Sequence, residues 1–346
     1  MEGAAASRGW IESPRFDLAA FILVPLSSLV VLGSVLGIPH GWQVVVLCTY
    51  LVAIPHYLSS FSFFFGDDNL AHYKTRSMAF FLGPAVILAS VIVLRAVGMQ
   101  VVVANTLYVW NVWHVSLQSA GILAIYRRLN RGPVEERPFA MRAILLWNAT
   151  LAFWFIDRYA FLNDWLVAAH PAAPLVLRYA LLAAAIMALV QFRAVLRGRA
   201  HPLAVPEKAF LASSFALFLP YLWVRDSNLA TFAMLMGHFI QYLSIVWLLN
   251  RRKYSGTDGT THQRVLGFVS HRPLVLMACL GAAGVAFYAA NRLASVFGVP
   301  WAYATVWNAL ALVHFYLDGL IWAFRKPFVR ESIGTYLMPP ARLVDS

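Results

Sequence analysis

The chain has 346 residues, 61% hydrophobic and only 12% charged, against about 25% charged in an ordinary soluble domain. That composition, with a mean hydropathy of +0.68, excludes a water-soluble globular enzyme. The net charge of +12 would suggest nucleic acid in a soluble protein. Here the basic residues cluster in short connections between apolar runs, where they report topology and contact with anionic lipid, and no nucleic-acid partner is expected.

The pattern predicts an all-α, polytopic transmembrane bundle of about ten spans, with residues 1–346 forming one transmembrane domain. In chain order the expected helices cover 16–36, 42–65, 78–98, 101–126, 140–163, 173–195, 207–225, 228–250, 273–295 and 301–324. A short N-terminal tail, 1–15, precedes them without a clean cleavage site, so the first apolar run reads as a retained helix. Gly and Pro punctuate the connections at Gly37 to Gly41, Gly132-Pro133, Pro202 to Pro206 and Gly298 to Pro300. A tail of residues 326–346 follows the last span. Cys48 and Cys279 lie inside apolar runs and read as packing residues, not as a disulfide or zinc pair.

All but five of the 27 lysines and arginines fall on one side of this map, the exceptions being Arg95, Arg158, Arg178, Arg225 and Arg292. Both termini are therefore expected in the cytoplasm, of a bacterial inner membrane, with even-numbered helices descending towards it.

Of ten histidines, His40 and His170 fall in outer loops, and His72, His201, His262 and His271 in cytoplasmic ones. His56, His114, His238 and His314 lie inside spans two, four, eight and ten. Counting to the polar or basic residue that ends each helix gives 11 residues from His56 to Asp67, 13 from His114 to Arg127, 13 from His238 to Arg251 and 11 from His314 to Arg325. At ~1.5 Å per residue all four imidazoles sit at about one depth near the middle of the bilayer.

An ionisable side chain in hydrocarbon is costly and normally faces a partner inside the bundle. Four neutral imidazoles at one level can share a metal ion, and each has a polar residue about one turn below to orient its ring. These are Ser60 for His56, Gln118 for His114, Gln241 and Tyr242 for His238, and Asp318 for His314. Tyr242, Asp318, Gln118 and Gln241 are the candidate catalytic residues, and the four histidines are the candidate ligands of a non-haem iron, with zinc as the alternative. Isolated interhelical hydrogen bonds, a haem, or a transporter or channel relaying protons or metal ions through the histidines remain competing readings. Haem fits less well because each helix carries a single histidine, and the HxxxH and HxxHH clusters of histidine-box diiron hydroxylases are absent.

The segments Ile54-Pro55-His56, Trp113-His114-Val115, Gly237-His238-Phe239-Ile240-Gln241-Tyr242 and Val313-His314-Phe315-Tyr316-Leu317-Asp318 resemble, in that order, motifs of the Brp/Blh bacterial β-carotene dioxygenases. The resemblance covers only these four short segments. It implies a membrane enzyme that holds a non-haem iron with histidines and cleaves a carotenoid centrally to retinal. Two positions depart from that pattern. Tyr242 stands where the family has the second histidine of an HxxxH, and Ser59 and Ser60 stand where it has an acidic residue. The departures leave metal geometry and substrate open and promote His314 to a ligand.

Trp110, Trp113, Phe61, Phe63, Phe64, Trp307 and Phe315 cluster near the same level and are expected to line a pocket for a flat or polyene substrate entering from the lipid. Other signals are weaker. Asp67-Asp68 with His72 invites a magnesium-diphosphate reading, but a second Asp-rich motif is missing and a solvated helix end is the simpler account. Asp157-Arg158 and Arg225-Asp226 read as interfacial ion pairs or snorkelling anchors, and Arg251, Arg252 and Lys253 as a topology signal. The expected function is a membrane-embedded iron oxygenase whose partners are membrane lipids and a lipid-soluble substrate, a carotenoid being the one the resemblance implies.

Overall fold

The structure is a computed structural model that describes residues 9–64, 67–130, 137–197, 203–255 and 259–338, with the side chains of 64, 67, 68, 137, 138, 160, 161 and 197 also outside the description. Among the described residues it is all-α. The helices are α1 (Pro14–Ile22), α2 (Leu26–Gly37), α3 (Gly41–Phe63), α4 (Asp67–Lys74), α5 (Met78–Ala96), α6 (Gln100–Leu129), α7 (Arg137–Phe153), α8 (Ala160–Ala169), α9 (Ala173–Arg197), α10 (Val205–Ala216), α11 (Pro220–Trp223), α12 (Ser227–Lys253), α13 (Thr261–Ser270), α14 (Pro273–Val296) and α15 (Pro300–Ile321). A further helical run covers 327–337.

Prolines explain most of the irregularities. A π-helical turn lies just ahead of Pro55 (Thr49–Ala53), of Pro84 (Met78–Leu82) and of Pro25 (Leu18–Ile22). A proline ring clashes with the carbonyl four residues back and supplies no N–H, so the preceding turn widens. In α3 the N–H of Ile54 consequently reaches back to the Thr49 carbonyl. Around Pro25 the chain bends by 50° between α1 and α2.

Six helices are long and apolar enough to cross a membrane, α3, α5, α9, α12, α14 and α15, and α1 with α2 makes a seventh if the bent pair is one span. The chain is thus a membrane protein by the character of its helices. Of the other expected spans, 101–126 is one continuous helix, α6, that falls outside this set, and two are broken. The 140–163 region ends its helix at Phe153 and resumes at Ala160, and 207–225 breaks at Leu217 to Leu219 ahead of Pro220. The connection after α12 holds α13, opened by a capping box in which the Thr260 N–H donates to Gln263 Oε1 at 2.6 Å and the Gln263 N–H donates to Thr260 Oγ1.

Burial separates the spans into two groups. Only 11% of α5, 11% of α9 and 6% of α14 is buried within the apolar window of each. Their exposed Leu, Val, Ile and Met side chains are tolerable only against lipid tails. The corresponding shares are 67% for α12, 56% for α15 and 44% for α3, three of the helices that carry an intramembrane histidine.

The chain divides into two compact units, one of residues 1–33, 108–238 and 338–346, the other of 34–107 and 239–337. In the first, α7 packs along α9, and Tyr108, Val112, Leu151, Ile156, Phe218 and Met234 belong to its apolar core. In the second, α15 packs on α5, and α14 on the π turn of α3. A Cβ placed on Gly284 of α14 would overlap the Tyr50 carbonyl, so this contact requires glycine. Pro55 has no N–H to give that carbonyl in the widened register, and Asn291 Nδ2 donates to the Tyr50 hydroxyl at 2.9 Å nearby.

Candidate metal centre

His56, His238 and His314 are fully buried and His114 nearly so. In the second unit His56 stands immediately after Pro55, on the helical segment that follows the π turn of α3. Its ring lies edge-on to that of His314 of α15, with centroids 4.4 Å apart and an interplanar angle of 65°. The two offer ring nitrogens within 4.8 Å of each other. Metal–imidazole bonds of ~2.0–2.1 Å put two ligand nitrogens roughly 3–4 Å apart on one ion, so the pair fits a shared metal after a small closure.

A hydrogen-bonded network holds His314. Ser60 Oγ lies 2.7 Å from His314 Nδ1 and donates to Asp318 Oδ1 at 3.1 Å. The Tyr242 hydroxyl donates to the same carboxylate oxygen at 2.6 Å, lies 2.8 Å from Ser60 Oγ and accepts from Trp322 Nε1 at 3.2 Å. If the one Ser60 proton goes to Asp318, the serine oxygen accepts from His314 Nδ1–H and the ring lone pair falls on Nε2, the nitrogen suited to a cation. Asp318 Oδ2 is 3.6 Å from that Nε2. The surrounding side chains are largely aromatic. His56 packs against Phe239 at 4.6 Å and Tyr242 at 4.5 Å, while Tyr57 meets Trp307 at 5.6 Å.

In the first unit His114 of α6 and His238 of α12 form a second pair, centroids 5.0 Å apart at 84°, again with ring nitrogens within 4.8 Å of each other. Beside His238, Gly237 lets α12 lie close to Leu217 and to the Val24 backbone. A Cβ there would stand 2.6 Å from the Leu217 side chain and 3.1 Å from the Val24 carbonyl, so any larger residue pushes His238 and its helix away from them. Gln118 Nε2 donates to the main-chain carbonyl of His238 at 3.3 Å. It braces the partner's backbone, where the sequence reading had assigned it to the His114 ring.

The candidate ligands are thus brought together in two pairs, and Ser60, Tyr242 and Asp318 around one of them. Gln241 is fully buried on α12, three residues after His238. Among the aromatic residues expected to line a pocket, Phe63, Trp307 and Phe315 sit in the packed interior or its rim, whereas Trp113 is 49% exposed and faces outward. The side chains of Phe64, Asp67 and Asp68 lie outside the described residues. Tyr57, Phe239 and Trp322 were not anticipated. Trp322 follows Asp318 by four residues, as Asp318 follows His314, so the one-turn rule extended once more would have found it. Searches against family models, characterised proteins and solved structures find no match to this chain.

Proposed function

We propose that this chain is a membrane-embedded non-haem metal oxygenase in which His56, His114, His238 and His314 hold one iron ion for chemistry on a lipid-soluble substrate. The supporting observation is that two buried histidine pairs, each spaced for one ion, come from helices whose sequence register sets all four rings at one depth. α12 links the pairs covalently, since it carries His238 of one and, one turn on, Tyr242 of the network around the other. Four neutral imidazoles leave the dication's charge uncompensated, and Asp318 offers a carboxylate beside His314 to balance it.

Iron so held supplies the redox chemistry that lets dioxygen react with an apolar substrate. The chain's own residues do the rest. Ser60, Tyr242 and Asp318 fix the tautomer and direction of His314, and Gln118 fixes the backbone at His238. The aromatic wall of Tyr57, Phe239 and Trp307 excludes water and presents flat faces to a planar chain. Zinc is the alternative occupant of an all-nitrogen set. We further propose ten crossings of a bacterial cytoplasmic membrane with both termini inside, the broken 140–163 and 207–225 segments each counting as one crossing.

The four motif segments make a carotenoid the first substrate to try. Expression in a host that accumulates β-carotene, with iron and oxygen supplied, should bleach the cells and yield retinal by chromatography. Unchanged carotenoid alongside full iron loading would eliminate carotenoid cleavage. A haem spectrum from the purified protein would eliminate the non-haem reading altogether.

A further inference from the structure

A second site, independent of the histidine pairs, lies in the unit of residues 34–107 and 239–337. A cavity of about 290 Å³ opens where the start of α5 meets the end of α15, lined by His72, Arg76 and Lys326 on its polar side and Phe80, Leu320 and Phe328 on its apolar side. Phe80 is in the first turn of one span and Leu320 in the last turn of another, which sets the cavity at the end of the apolar spans, where lipid headgroups lie. His72 stacks flat on Phe328, centroids 3.6 Å apart at 6°, and so ties α4 to the 327–337 run that Lys326 precedes. Among the described residues, neither Arg76 nor Lys326 has a carboxylate partner.

We propose that this cavity binds a phosphate group, carried by an anionic amphiphile whose apolar part lies against Phe80 and Leu320. Two cations converge on one small opening with an imidazole beside them, and phosphate oxygens match guanidinium and ammonium donors. Partial burial, with Arg76 and Lys326 close by, pushes His72 below its usual range, and burial with Arg76 and Arg325 pushes Lys326 below its own. Both shifts have the same sign, with burial as the first cause and neighbouring positive charge as the second, and an anion in the cavity offsets the second. A basic residue serving topology alone needs only to be on the right side of the membrane and does not require a cavity.

The test uses the full chain in an uncharged detergent, with native mass spectrometry counting bound phosphatidylglycerol against phosphatidylcholine of the same acyl chains. The wild type should retain phosphatidylglycerol selectively, and Arg76→Gln and Lys326→Gln should each weaken it roughly five-fold. Arg264→Gln, on α13, should leave it unchanged. Displacement by millimolar inorganic phosphate would assign the cavity to free phosphate, and persistence would assign it to a lipid headgroup. Size-exclusion profiles and helical circular dichroism check folding, and if Arg76→Gln fails to fold, Lys326→Gln decides. Undiminished selectivity in a folded pocket variant, or an equal loss in Arg264→Gln, overturns the proposal.

Discussion

Ser60 has a single proton and three polar neighbours, His314, Tyr242 and Asp318, within 3.1 Å. Its direction of donation settles which nitrogen of His314 carries hydrogen, and that dependence makes the network testable one atom at a time. Tyr242→Phe removes the 2.6 Å donor to Asp318 while keeping the ring that packs on His56. Asp318→Asn keeps the shape and removes the charge. Each variant should retain metal and lose about 10-fold to 100-fold in activity or metal affinity, the usual cost of disturbing a group that orients a ligand. Metal content measured beside turnover would separate this from a ligand role, which predicts loss of the metal itself. Much of the network was legible in the sequence because it obeys helical periodicity. Asp318 follows His314, and Ser60 follows His56, by four residues, and such pairs share a helix face. Periodicity did not indicate that Ser60 would serve His314 of another helix, since a register does not say which helix stands opposite.

At the scale of elements, glycines mark where backbones meet. Gly284 of α14 faces the carbonyl of Tyr50 in the π turn of α3, and backbone cannot move aside as a flexible side chain can. Gly284→Ala should cost about 1–3 kcal/mol, seen as a lower thermal midpoint in detergent, whereas Gly281→Ala, three residues earlier with open space around it, should be close to neutral. Equal midpoints for the two variants would show that the contact carries no such constraint. Helix positions followed the apolar windows closely where no proline intervened, as in α9 and α14. They diverged at Pro25 and Pro220, where hydropathy stays high while the backbone bends or breaks. A window average registers the apolarity of a proline-containing run and is blind to its missing N–H. The amphipathic α13 escaped for the opposite reason, because its polar face lowers the average even though the Thr260–Gln263 capping box marks its start.

For the whole molecule, the distribution of basic residues makes a prediction independent of any side-chain contact. With ten crossings and both termini inside, a periplasm-active reporter fused after Ser346 should be silent and a cytoplasm-active one should work. The reverse pattern would remove the common direction of the four histidine-bearing helices. The lightly buried α5, α9 and α14 expose apolar side chains of the kind lipid accepts, whereas the more buried α3, α12 and α15 carry three of the histidines. The most direct measurement of the central claim is metal stoichiometry by elemental analysis of purified wild type, His56→Ala and His238→Ala, one substitution in each pair. A single shared ion predicts about one iron per chain in the wild type and a severe loss in both variants, with the protein still inserted. Full occupancy in either variant, or a wild type that binds no metal after loading, would contradict it.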